Sequence, residues 1–168
     1  MKGKLEEALA NVDMMYSQVT EIANKMIVMY TKEVDDLIKQ AYDKIEKLTN
    51  DDIMSLMLKL SMKAYNFSEV KERSSLKAEC AEAIKKEAYA VKFNETDGSV
   101  ALRENTALIN TSDEIVANAV YDLVSSLFKT KLSEIHSVVD TLKSVLLTRM
   151  QEAKLSINNN GNSMEEND

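Results

Sequence analysis

The chain has no proline, no tryptophan, three glycines, one cysteine and one histidine among 168 residues. With no proline, no residue obliges a helix to stop. What is abundant instead is Lys, Glu, Leu, Ala and Met, the residues that lose least freedom in a helix, so the composition points to an all-α chain. A single cysteine excludes an internal disulfide. One cysteine with one histidine cannot close a zinc site, and the expected setting is a reducing cytoplasm. The longest purely apolar run, Met26 to Met29, is far short of the roughly 20 residues a membrane span needs. No signal peptide is visible, so the expectation is a soluble cytoplasmic protein with no membrane association.

Lys and Arg, 21 in all, are outnumbered by 28 Asp and Glu. The net charge is -7, which argues against non-specific nucleic-acid binding by bulk charge. The distribution is uneven: -4 over residues 1–52, +3 over 59–92, -5 over 94–122, +2 over 129–154 and -3 over 155–168. Two mildly basic helical stretches therefore lie between acidic ones.

The apolar residues Leu5, Leu9, Val12, Tyr16, Val19, Ala23, Met26 and Tyr30 alternate steps of four and three, the seam of a coiled coil. Two successive four-residue steps carry it through Val34 to Leu37, Ala41, Ile45 and Leu48, a local shift of the kind a stutter produces. One long helix of about 44 residues is predicted within the segment 1–49, about 65 Å at about 1.5 Å per residue. Thr49, Asn50 and Asp51 supply N-cap chemistry for a turn.

The segment "DIMSLMLKLSMKAYNF" is apolar and rich in methionine. Its methionines suit either core filling or an adaptable partner surface. Beyond Ser68, which either caps a new helix or lies within a continuing one, Val70, Leu76, Cys80, Ile84, Ala88 and Val91 form the predicted inward stripe. A polar loop is expected over 94–111, with Gly98 at its bend. The run Thr111 to Glu114 fits a capping box and should open the last helix. That helix carries Val120, Val124, Phe128, Leu132, Ile135, Val139, Leu142 and Leu146 on a four-and-three seam. Residues 157–168 show no apolar periodicity and end in acid, and are expected to form a disordered tail. The domain reading is thus a coiled-coil helix over 1–49, a helical domain over 50–156 and the acidic tail. Long seams cannot stay uncovered, so an antiparallel helical bundle, assembled as a homo-oligomer, is expected.

No motif carries catalysis. Cys80 on an apolar stripe reads as a small buried hydrophobe, and His136 beside Ile135 as a solvent-edge or interface histidine. Gly98 stands alone between Asp97 and Ser99 and makes no phosphate cradle. Glu69 with Glu72, and Glu79 with Glu82, share the E-x-x-E spacing by which all-α pyrophosphohydrolases hold magnesium. Here lysines and Arg73 interleave with them, the pattern of exposed charge pairing. A non-enzymatic protein without cofactor or metal is expected. Arg73, Lys77, Lys85, Lys86 and Lys92 share their stretch with Tyr89 and Phe93. Aromatic rings among lysines can stack unpaired bases while the lysines follow phosphates, and these residues form the candidate site.

The order "AIKKEAYAVKF", a glycine-bearing polar loop, "LRENTALINTSDEIV" and "VYDLVSSLFKTKLSEIHSVVDTLKSVL" resembles phage recombination mediators of the UvsY type over about residues 68–150. The family's basic motif, a lysine and an arginine before paired tyrosines, would fall on Ile84 to Tyr89. Lys85 and Lys86 stand at the basic positions, whereas Glu87 intrudes and one tyrosine is present. The resemblance implies an oligomeric helical accessory protein of phage or prophage origin, in the host cytoplasm. It would bind single-stranded DNA together with a recombinase or a single-strand-binding protein. The alternative is an interaction module, such as an assembly chaperone, a scaffold or a host-defence inhibitor, acting by occlusion or charge mimicry.

Overall fold

The computed structural model describes the backbone of residues 2–162, and the fold is all-α: α1 (Lys2–Lys44), α2 (Asn50–Glu95), α3 (Val100–Asn110) and α4 (Ser112–Asn162), with no strand among the described residues. The helices distribute into two compact units. One comprises Met1–Thr31 and Phe67–Lys131, the other Lys32–Asn66 and Leu132–Asp168.

In the second unit, α1 and α2 are joined by a short turn. Lys47 and Leu48 donate to the Lys44 carbonyl at 2.8 and 3.0 Å, closing α1. Thr49 then caps α2 reciprocally. Its hydroxyl accepts from the Asp52 amide at 3.1 Å while its own amide donates to Asp52 Oδ2 at 3.0 Å, the capping-box arrangement with aspartate in the glutamate position. The turn expected at 49–51 is where the chain reverses. Lys63 of α2 pairs with Glu33 of α1. The core is large and aliphatic: Val34, Ile38 and Ala41 of α1, Ile53, Leu56, Leu60 and Ala64 of α2, and Ile135, Val138 and Leu142 of α4 are all buried. Arg149 completes the end of the unit by donating to the carbonyls of Ile45, Glu46 and Leu48, groups that a helix end leaves without partners.

The first unit is built differently. Its buried residues include Val19 and Ala23 of α1, Ser74, Ala78 and Ala81 of α2, Ala107 of α3, and Val120, Val124 and Phe128 of α4. Phe128 is the hub, with Phe67 and Tyr30 set edge-on to it at centroid distances of 5.6 and 5.7 Å, the geometry aromatic quadrupoles favour. The Ser75 and Ser125 hydroxyls meet at 2.9 Å. Small inward residues let backbones approach closely, at the expense of apolar area buried.

Several expectations are corrected, although helix α2 runs through Ser68 as one of the two readings there had it. Its second half turns Ser74, Ala78 and Ala81 inward, while Leu76 and Ile84, the larger apolar residues, are 60% and 58% exposed. Val91 and Cys80 are exposed as well. The loop expected over 94–111 contains α3, begun by Ser99, whose hydroxyl accepts from the Leu102 amide. Gly98 takes φ 122°, as expected of the bend residue. Helix α4 starts where the TSDE run placed it, but Thr111 does not cap it with its hydroxyl. That hydroxyl donates backward to the Ala107 carbonyl at 2.8 Å, and only the Thr111 backbone oxygen serves α4, accepting from Ile115. Of the apolar series expected along α1, Val19, Ala23, Val34 and Ala41 are buried, and Met26 and Leu37 are half-buried. Leu9, Val12 and Tyr16 are exposed, and Thr31 is buried in place of Tyr30. Helix α4 continues to Asn162, where a disordered tail was expected from 157: extending an existing helix gains one hydrogen bond for each residue fixed. The expectation for residues 163–168 lies outside the described residues.

Candidate functional site

The candidate residues all lie on the half of α2 that belongs to the first unit, and the structure divides them into two groups. Arg73 and Lys77 border a groove of about 700 Å³ whose lining includes Met26 and Tyr30 of α1 and Tyr121 and Phe128 of α4. The Lys77 ammonium stands 6.0 Å from the centroid of the Tyr121 ring, at the reach of a cation–π contact. Arg73 is exposed and bonds Glu69 at 2.6 Å.

The other group gathers where α2 ends against α3. Lys85, Lys86 and Tyr89 line a groove of about 370 Å³ with Leu108, Thr111 and Ile115. Tyr89 and Phe93, one helical turn apart, stack at 6.3 Å with 21° between their planes. Arg103 closes the ladder. Its guanidinium lies 4.1 Å from the Phe93 centroid, and its Nε donates to the Phe93 carbonyl at 2.9 Å. One side chain thus holds a ring face and an otherwise unpaired carbonyl of the last turn of α2. Thr96 secures the same turn by donating to the Lys92 carbonyl.

Carboxylates accompany most of these cations. Lys86 bonds Glu82 at 2.7 Å and Lys92 bonds Glu95 at 3.0 Å. The hydrogen bond from Lys86 holds the Glu82 carboxyl below its usual range, and the charge of Lys85 lowers it further. The face is therefore a mosaic of both signs around an aromatic ladder. Such exposed pairs contribute little stability and exchange readily with water or with another anion.

Arg103 was not among the residues singled out from sequence. Lying in the stretch expected to be loop, it gave no signal of its own. The E-x-x-E acids pair locally: Glu69 with Arg73, Glu72 with Lys71 and Glu82 with Lys86. Among the described residues no three metal-capable side chains gather, and no helix is long and apolar enough to cross a membrane. His136 is exposed beside the fully buried Ile135. Compared with protein families, with characterised proteins and with solved structures, the chain matches none.

Proposed function

We propose that this chain is a helical interaction module that holds an amphipathic helix of another protein on the outward face of α2 in the second unit. The observation that carries the reading is one stripe. Met54, Leu58, Met62 and Tyr65 follow each other by steps of four, four and three and are 50%, 64%, 62% and 80% exposed. That spacing presents a helical partner with a continuous apolar ridge, and methionines adapt to its relief. Affinity capture from the native host with the full chain tests the reading. A partner retained in stoichiometric amount by the wild type and lost with Leu58→Glu is the expected result; equal retention by both overturns it.

A second reading is favoured by the Tyr89–Phe93–Arg103 ladder. In it the mosaic face takes single-stranded DNA, with Lys85 and Lys86 following phosphates and Tyr89 offering a ring to a base, in the manner of a recombination mediator that also engages a recombinase or a single-strand-binding protein. Arg73, Lys77 and Lys92 would add to the charge along the strand. Fluorescence anisotropy with a short oligonucleotide at several salt concentrations decides it. Binding that weakens with salt and with Lys85→Ala supports it, and no binding at low salt overturns it.

A further inference from the structure

The methionines of this chain stand outside its core. Among the described residues none is buried: Met26 and Met57 are half-buried and the others are exposed. The buried apolar side chains are those of valine, alanine, isoleucine, leucine and phenylalanine, none of which carries sulfur. An oxidant that acts on thioethers therefore meets the surface of the fold and leaves its interior chemically unchanged. The distinction matters for methionine, because oxidation to the sulfoxide turns a flexible apolar side chain into a polar one and is reversible.

Two of the exposed methionines share a face. Met54 and Met62 lie four positions to either side of Leu58 on α2 and are 50% and 62% exposed, with the half-buried Met57 between them in sequence. Both belong to the ridge assigned above to a partner helix. A sulfoxide oxygen there is a hydrogen-bond acceptor, and a partner face that packs on an apolar ridge offers it no donor. Burying it without one opposes association.

We propose that Met54 and Met62 form a reversible oxidation site through which peroxides switch the partner ridge off while the fold persists. The inference rests on the partner reading of that ridge. In the forward step the thioether sulfur attacks one peroxide oxygen: an S–O bond forms as the O–O bond breaks, the sulfur is oxidised by two electrons, and hydrogen peroxide is reduced to water. In the return step a thiol-dependent reductase removes the oxygen as water, two thiols closing to a disulfide as the thioether is restored. The thioether form docks the partner helix and the sulfoxide form releases it.

To test this, the full chain is treated with hydrogen peroxide, freed of it, and used as bait in native-host extract beside untreated bait. Peptide mass spectrometry should find one added oxygen on Met54 and on Met62 at peroxide levels that leave most of Met57 unmodified, with far-ultraviolet circular dichroism unchanged. The treated wild type should lose the partner that the untreated bait retains, and methionine sulfoxide reductase with a dithiol should restore it. A chain carrying both Met54→Leu and Met62→Leu, volume-conserving swaps that keep the ridge apolar, should retain the partner after the same treatment. That variant keeps the exposed Cys80 and the exposed Met14, Met15, Met29 and Met150, so loss of the partner from it places the effect elsewhere and overturns the proposal. A loss of helicity on oxidation also overturns it. Equal retention by treated and untreated wild type overturns the switch and leaves the partner reading standing. An untreated bait that holds nothing Leu58→Glu loses sinks the partner reading, and the switch with it.

Discussion

The Arg149 guanidinium donates to the Leu48 carbonyl at 2.6 Å across 101 positions of sequence, and its other terminal nitrogen reaches the Ile45 carbonyl at 2.9 Å. A permanent cation thus sits on the carbonyl end of α1, where it also opposes the negative pole of the helix. Arg149→Ala should cost about 1–2 kcal/mol, charge-assisted bonds being strong and this site only partly buried. Arg149→Lys should recover part of that, since an ammonium lacks the guanidinium fork. Urea denaturation of the three proteins measures both.

Asp52 carries a pH dependence. The Thr49 side chain and then the Thr49 amide hold its carboxyl below the ordinary value of 3.8. A depressed folded value means that the stabilisation is fully present above about 3.8 and is lost as the pH falls through the lower folded value. Carboxyl-detected NMR should place the Asp52 midpoint below that of Asp52 in a short peptide, and Thr49→Ala should move it back up.

Gly98→Ala should destabilise the α2–α3 connection by about 1 kcal/mol or more, because φ 122° is strained for any residue with a Cβ and the added atom would lie 2.9 Å from Leu102 Cδ2. Hydrogen exchange should quicken in α3 first.

Asn118 Oδ1 is buried and accepts no hydrogen bond, while the Asn118 amide nitrogen bonds Asp122. Asn118→Leu removes the unsatisfied acceptor and returns an exposed carboxylate to water. It should raise stability by about 1 kcal/mol, seen as a higher Tm by calorimetry.

Facing in the second half of α2 can be read by substitution. Ala81→Leu should cost about 1–3 kcal/mol by overpacking, whereas Val91→Ala should stay within about 0.5 kcal/mol. The reverse ordering, measured by chemical denaturation, would return the larger residues to the core.

Much of the architecture was legible because helix signals are local. Thr49, Asn50 and Asp51 announce a cap within three positions, the Gly98 bend needs only its own φ, and of the α4 stripe Val120, Val124, Phe128, Ile135 and Leu142 are buried, while Leu132, Val139 and Leu146 are half-buried and Val138 is buried beside Val139. Facing was not legible in α2 after Phe67, where two stripes compete. Ranking by hydrophobicity selects Leu76, Cys80 and Ile84, but close helix approach selects Ser74, Ala78 and Ala81, and approach is a property of the partner helices. Helix α3 was hidden by its Asn and Thr content, residues that favour caps and turns on their own. Of the candidate site, Lys85, Lys86, Tyr89 and Phe93 were singled out by composition, and the structure places them near one another. Arg103 and Arg149 were not, since each recognises distant main-chain oxygens that no side-chain pattern encodes.

The second unit draws its core from two segments far apart in the chain, Lys32–Asn66 and the segment that begins at Leu132, and this sets a timetable for synthesis. Ile53, Leu56 and Leu60 leave the ribosome well before Ile135, Val138 and Leu142, the residues that cover them. At about 5–20 residues per second, the interval between Leu60 and Ile135 is about 4–15 s. For that time the α1–α2 hairpin presents its most apolar surface to whatever surrounds the nascent chain, so slowing translation between these points should raise the demand for chaperones.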